Sequence, residues 1–173
     1  PGDIVGSMLG KTIEIHSTDA EGRLTLADAV YYAITHEKVA EVVDVATLTG
    51  ACVVALGAFN TGAFTNNEAL LEKIKVAAVE AGEPLWQLPL SKEYRKLIKG
   101  DRGDLKNSGG RWGGASTAAA FIEEFVEGKP WVHLDIAGTS DIESARGYYP
   151  KGATGMPVKT LYYYVKGPKK GGC

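Results

Sequence analysis

Hydrophobic and polar positions fall into blocks along the chain, and the period of the pattern differs between blocks. In residues 11–15 (KTIEI), polar and apolar side chains alternate with a period of two, which is typical of a half-buried strand. Residues 39–48 are rich in β-branched side chains and almost continuously apolar, as in a strand covered on both faces. Residues 131–136 predict a second buried strand, and residues 61–65 a shorter one.

Apolar residues at helical spacing lie between these strands. Thr25 and Asp28 have the spacing of a capping box, and the apolar positions that follow predict a helix that ends near His36. Three further helices are predicted: from Asn66 or Asn67 to Gly82, from Ser91 through residues 92–99, and over residues 116–126. Residues 157–165 predict a closing helix or strand.

Strands that alternate with helices predict an α/β fold with a mainly parallel sheet flanked by helices. No internal repeat or linker divides the chain, so residues 1–166 are predicted to form one unit, followed by a flexible tail over residues 167–173. The chain opens at Pro1 directly on a structured segment with no leader. This start indicates a piece cut from a longer chain.

Composition and charge narrow the classes of function. The chain has 173 residues, 45% of them hydrophobic, as in globular domains. Its 19 basic and 21 acidic residues give a net charge of −2, which argues against nucleic acid or an anionic membrane as a partner. Apolar runs such as residues 51–58 are too short to span a bilayer, so we expect a cytoplasmic protein. Cys52 and Cys173 are too few for a disulfide framework.

Polar and small residues follow several predicted strands. In an open parallel sheet, binding sites form beyond the carboxyl ends of the strands. Residues 18–23, 47–50 and 137–140 are all expected at such ends, where they would line a common cleft. Residues 100–114 contain six glycines and are predicted to be a loop. Loops of this length are uncommon without a function.

The first of these segments carries two carboxylates. In an extended backbone, side chains two residues apart share a face, so Asp19 and Glu21 would point toward one place, with Arg23 following. Carboxylate oxygens bind divalent cations, and two metals close together need a bridging carboxylate. An ordinary surface cluster of charges has the same spacing, and spacing alone favours that alternative.

A longer motif favours the metal site over the ordinary surface cluster. Residues 17–28, STDAEGRLTLAD, resemble the leucine aminopeptidase (cytosol aminopeptidase) signature NTDAEGRL followed by LAD, with Ser17 where the family usually has Asn. The resemblance continues in DVATLTGA at residues 44–51, HLDIAG at residues 133–138 and KGATG at residues 151–155. The chain is identified as the C-terminal part of a catalytic domain of this family.

The resemblance implies a metal-dependent exopeptidase that releases leucine-like residues from peptides with a free N-terminus. By position, Asp19 would bind one of two divalent metal ions (zinc or manganese, with magnesium or cobalt as alternatives), and Glu21 would bridge both. Arg23 would hold a bicarbonate ion that acts as a general base on the metal-activated water. A planar guanidinium suits such an anion.

The resemblance also implies the substrate-binding residues. Thr47, Leu48 and Gly50 match the substrate-lining strand end, and the Leu48 carbonyl would accept a hydrogen bond from the substrate. Ala137 and Ser140 match the wall of the pocket for the first side chain, where small residues leave room for a leucine-sized group.

The three histidines, by contrast, have no zinc-motif spacing, and we predict structural roles for them: His16, His36 and His133.

Part of the family's site lies outside this sequence. A lysine and two aspartates that ligate metal, and a second, catalytic lysine, belong to motifs upstream of the matched signature. The chain alone is therefore expected to hold metals poorly and to be inactive without the upstream part of the same catalytic domain. The family resemblance implies a homo-hexamer. The alternative is an inactive truncated paralogue or fragment with a structural, assembly or binding role.

Overall fold

A computed structural model describes residues 1–167, so the predicted tail lies outside the described residues beyond Gly167. The strands are β1 (Ile4–Gly6), β2 (Thr12–Glu14), β3 (Val42–Ala46), β4 (Thr61–Thr65), β5 (Leu85–Gln87), β6 (Leu105–Lys106), β7 (Trp131–Asp135), β8 (Asp141–Ile142) and β9 (Gly152–Ala153). The helices are α1 (Glu21–His36), α2 (Gly50–Leu56), α3 (Glu68–Ala81), α4 (Lys92–Leu97), α5 (Gly114–Glu123) and α6 (Val158–Lys166).

The main sheet has four strands in the order β3-β7-β4-β5. β3 pairs with β7 and β4 pairs with β5 in parallel, whereas β4 and β7 are antiparallel. Two of its three pairings are therefore parallel, and the predicted α/β class with a mainly parallel sheet is confirmed. β1, β2 and β6 form a second sheet, and β8 and β9 form a short antiparallel pair.

Helices cover both faces of the main sheet. One apolar cluster joins Val30 of α1 and Ile122 of α5 to Phe64 and Trp131 in the strands, and another joins α3 to β4 and β7. α5 is buried along eight consecutive residues, 115–122, because its many alanines let neighbouring elements approach closely. None of the helices within residues 1–167 is long and apolar enough to cross a membrane.

The first helix differs from its prediction. α1 begins at Glu21 rather than Thr25, directly after a 3-10 helix over Thr18–Ala20. Thr25 is therefore inside the helix, and the predicted capping box is wrong. Asp28 instead accepts a hydrogen bond from the Met8 backbone N–H at 2.8 Å. Burial of Ala20 favours this early start, since it draws the turn against the core.

Other elements agree more closely with the pattern. Asn67 caps α3 through a 2.9 Å hydrogen bond from the Leu70 N–H to its side chain, and Gly82 ends the helix in the left-handed conformation. β4 has the predicted bounds, and the closing segment is helical. α2 was not predicted, because its seven residues are all small or apolar and too few to show a helical period. The Thr49 side chain caps it by accepting from the Cys52 N–H.

Candidate active site

Asp19 and Glu21 lie at the start of α1. Asp19 is in the 3-10 helix and Glu21 is the first α-helical residue, so the extended backbone assumed from spacing is wrong. Helical φ and ψ angles begin there because Ala20 and Arg23 are drawn into the interior. Both carboxylates are exposed, and neither has a hydrogen bond or ion pair within residues 1–167. Both carboxylates are therefore free of partners within the described residues.

Arg23 points into the protein instead. It is only 9% exposed, and its Nη1 donates a 2.8 Å hydrogen bond to the Asn107 carbonyl. Its Nε has no hydrogen-bond partner among the described residues. Burial lowers the pKa of the Arg23 guanidinium, and the negative charge of Asp135 opposes that shift. The site therefore contains a buried cation with an unused N–H donor.

Asn107 holds the chain just before the two carboxylates. It is fully buried. Its Oδ1 accepts from the backbone N–H groups of His16 at 2.9 Å and Ser17 at 3.1 Å, and its Nδ2 donates to the Ser17 carbonyl at 2.6 Å. The sequence gives only a weak signal for this role, an asparagine within the predicted glycine-rich loop.

Asp135, the last residue of β7, joins the second and third predicted segments. Its Oδ1 accepts from the backbone N–H groups of Leu48 and Ala137, each at 3.1 Å, and its Oδ2 accepts from the Thr49 hydroxyl at 2.7 Å. A Cβ added to Gly22 would lie 4.0 Å from Leu48 Cδ1, so the start of α1 also approaches Leu48. The ends of β3 and β7 thus meet the start of α1.

The remaining predicted substrate residues are less tightly linked. Thr47 and Gly50 are exposed on either side of Leu48, and Gly50 begins α2. Ser140 is half-buried; its N–H donates to the Ile136 carbonyl at 2.9 Å, and its own carbonyl accepts from the Thr154 N–H at 3.0 Å. These bonds place Ser140 in the turn after β7 without tying it to Asp135.

The nearby turn is held by close backbone packing. A Cβ on Gly138 would lie 2.1 Å from the Gly57 carbonyl oxygen, so only glycine fits where this turn meets the end of α2. The turn carrying Ala137 and Ser140 is therefore in a defined position relative to α2.

His133 belongs to a buried polar cluster in the main sheet. Its Nδ1 lies 2.6 Å from Asp44 Oδ1, and Trp131 Nε1 donates to Asp44 Oδ2 at 2.6 Å. Asp44 and His133 are directly opposite on paired strands, which explains the contact. The cluster orders the interior of the sheet.

The other two histidines and the buried thiol have no hydrogen bond or ion pair with Asp19 or Glu21. His16 Nε2 is 3.1 Å from Glu14, and His36 stacks on Tyr32. Burial raises the pKa of the Cys52 thiol to about 12, which keeps it protonated at neutral pH.

Residues 1–167 contain no group of three or more His, Cys, Asp and Glu side chains placed to hold a metal ion. Asp19 and Glu21 have the right chemistry for hard cations or zinc but need further ligands.

Comparison with known proteins agrees with the early motif. Residues 1–162 match the catalytic domain of the cytosol aminopeptidase family. The chain belongs to this family. A probable cytosol aminopeptidase of Clostridium tetani is 62% identical over 169 residues, which cover 98% of this chain and 35% of that protein. A probable cytosol aminopeptidase of Clostridium perfringens is 56% identical over 94% of this chain and 33% of that protein.

A solved structure shows the same fold. A mutant of tomato leucine aminopeptidase superposes with a TM-score of 0.90 at 46% identity, covering 95% of this chain and 32% of that chain. This chain therefore spans about a third of the length of the relatives it matches.

Proposed function

We propose that this chain supplies the C-terminal part of a catalytic domain in a metal-dependent aminopeptidase, which releases leucine-like N-terminal residues from peptides. The observation that carries the proposal is the start of α1, where exposed, unpaired Asp19 and Glu21 adjoin buried Arg23. Exposed carboxylates without a partner among the described residues keep their oxygen lone pairs free for a cation.

Asp19 is the proposed ligand of one divalent metal ion, and Glu21 the proposed bridge between two. Zinc or manganese is the expected metal, with magnesium or cobalt as alternatives. Such ions, held by Asp19, Glu21 and the upstream ligands, would supply Lewis acidity and activate water for hydrolysis near neutral pH. The upstream part of the catalytic domain would supply the other ligands and the catalytic lysine.

Arg23 is the proposed holder of bicarbonate, the general base. Its Nη1 donates to the Asn107 carbonyl, whereas its buried Nε has no partner among the described residues and would donate to the anion. A buried guanidinium attracts a bound anion more strongly than an exposed one, because less water screens the charge.

Thr47, Leu48 and Gly50 are the proposed lining for the substrate backbone. The Leu48 N–H already donates a hydrogen bond to Asp135. Leu48 would therefore offer the substrate its carbonyl oxygen, an acceptor for an amine or amide. Ala137 is held on the same carboxylate and, with Ser140, forms the proposed wall of the pocket for the first side chain. The cytoplasm and a homo-hexamer are the proposed setting of the complete enzyme.

The test is hydrolysis of leucinamide by the complete enzyme, in which this chain is accompanied by the upstream segment, with added zinc or manganese. We expect Asp19→Ala and Glu21→Ala to lower kcat/KM at least about 100-fold, the upper end of losses typical of residues that only orient a ligand. Glu37→Ala, which changes an exposed carboxylate at the other end of α1, is the matched control.

Full activity in both Asp19→Ala and Glu21→Ala would contradict the proposed metal ligands. A complete enzyme with no leucinamide hydrolysis at any metal concentration would instead support the structural or assembly role.

A further inference from the structure

The loop between β6 and α5, residues 107–113, joins both halves of the candidate site. At its start, the Asn107 carbonyl accepts from Arg23, and the Asn107 side chain holds Ser17, two residues before Asp19. At its end, a Cβ on Gly114 would lie 3.1 Å from Ala51 Cβ, beside Gly50. The loop therefore runs from the proposed metal-binding carboxylates to the proposed substrate-lining strand end.

Close packing fixes the route of this loop at two further points. A Cβ on Gly109 would lie 2.7 Å from Thr117 Cγ2. Gly113 has a φ of 63°, and a Cβ there would lie 2.7 Å from Tyr94 Cε1. Residues 110–113 are exposed, and the tip of the loop, residues 110–112, lies between these two contacts. The backbone is thus held on both sides of the tip, which places its side chains at low entropic cost.

The tip carries one cation and one large aromatic ring. Trp112 is 79% exposed, and the Arg111 guanidinium lies 5.3 Å from the centroid of its ring. Arg111 has no ion pair within residues 1–167. An exposed tryptophan stacked by an unpaired arginine offers a flat apolar face and a charge together. A ligand that matches both has an apolar or extended portion and an anionic group.

The substrate class of an aminopeptidase has this chemistry. A peptide cleaved behind its first residue keeps, on the released portion, backbone and side chains followed by a free carboxylate. We propose, on the basis of the aminopeptidase function above, that Trp112 packs against the released portion of the peptide and that Arg111 pairs with its carboxylate. The tip then distinguishes peptides from simple amides of one amino acid, and it favours short peptides with a free C-terminus.

The test compares three substrates in the complete enzyme: the tripeptide Leu-Ala-Phe, its C-terminal amide, and leucinamide. We expect Trp112→Ala to lower kcat/KM about 5-fold to 10-fold for both tripeptides, as for loss of one aromatic contact, and to leave leucinamide within about twofold. Arg111→Gln should lower kcat/KM about fivefold for the free tripeptide only, because the amide lacks the negative charge.

Matched controls separate these effects from general losses. Trp86→Ala removes another exposed tryptophan, 62% exposed on β5, and Arg102→Gln removes an exposed arginine outside the tip. Both should leave all three kcat/KM values, and hence the ratios between substrates, unchanged. Light scattering on each variant reports the oligomeric mass.

Unchanged ratios in Trp112→Ala and Arg111→Gln would overturn the inference, and so would an equal loss on all three substrates, with or without a change in mass. In either case the proposed function stands as long as the unmodified enzyme hydrolyses leucinamide. An unmodified enzyme that cleaves none of the three substrates would overturn the proposed function and this inference with it.

Discussion

Two pairs of carboxylates in this protein have opposite surroundings. Asp44 and Asp135 are buried at adjoining strands, and both oxygens of each accept hydrogen bonds or face a histidine. Asp19 and Glu21 are exposed at the start of α1 and have no partner within residues 1–167. A carboxylate whose two oxygens both have partners in the protein orders the fold, whereas an unpaired one keeps its capacity for a cation. The comparison separates scaffold from candidate ligands.

The largest expected effect is the loss of Asp135. Asp135→Ala would leave the Leu48 and Ala137 N–H groups and the Thr49 hydroxyl without their acceptor, and buried Arg23 without its nearby negative charge. We expect the free energy of unfolding of the complete enzyme to fall by about 3 to 5 kcal/mol, measured by urea denaturation. Asp135→Asn keeps one acceptor oxygen and should lower the free energy of unfolding by less. Equal stability of Asp135→Ala and the unmodified protein would contradict a structural role for Asp135.

Asn107 should come next. Asn107→Ala removes three hydrogen bonds to the backbone of His16 and Ser17 from a fully buried position. We expect a loss of about 2 to 3 kcal/mol in the free energy of unfolding. Hydrolysis of leucinamide should also decline, because the segment before Asp19 loses its anchor. Asn66→Ala is the control, since it removes another loop asparagine with two backbone contacts elsewhere. A larger loss of leucinamide hydrolysis in the control would argue against a positioning role.

Glu14 extends the comparison to a fifth carboxylate. Its Oε1 accepts from the backbone N–H groups of Arg102 and Gly103, and these bonds, Arg102 first, lower the pKa of Glu14 to about 2. A depressed folded-state pKa stabilises the protein at pH values above the ordinary carboxyl pKa, and this stabilisation is lost as pH falls toward 2. Denaturation between pH 5 and pH 2 should show a shallower decline for Glu14→Gln than for the unmodified protein. Parallel declines would contradict this assignment.

The smallest expected change in stability belongs to the exposed pair. Asp19→Ala and Glu21→Ala should alter the free energy of unfolding of the metal-free protein by only about 0.5 kcal/mol, because neither side chain has a partner to lose. The rise in Tm that zinc or manganese produces in the complete enzyme should be reduced in both variants. A large destabilisation without metal would place Asp19 and Glu21 with the structural carboxylates.

The sequence motif located the candidate ligands but not their geometry. Residues 17–28 identify Asp19, Glu21 and Arg23 by type and order, yet the extended backbone inferred from their spacing is a 3-10 turn and a helix start. Local spacing cannot distinguish these conformations, because the choice depends on burying Ala20 and Arg23 against other segments. The end of α3 at Gly82 was predictable from neighbouring residues alone, whereas the sequence left Asn66 and Asn67 as alternative caps and the structure selects Asn67.

The sequence by itself determined the α/β class, the bounds of β4, the end of α3 at Gly82 and the family, and it narrowed the N-cap of α3 to Asn66 or Asn67. These follow from hydrophobic period, local capping chemistry and a long motif. Only the tertiary structure decided the roles of Asn107 and Asp135. The hydrogen bonds of Asn107 reach residues 84 to 91 positions away along the chain. Those of Asp135 to Thr49 and Leu48 span 86 and 87 positions. A polar residue declares such a role only when folding buries it beside unpaired backbone groups, and no pattern along the chain records which distant groups those are.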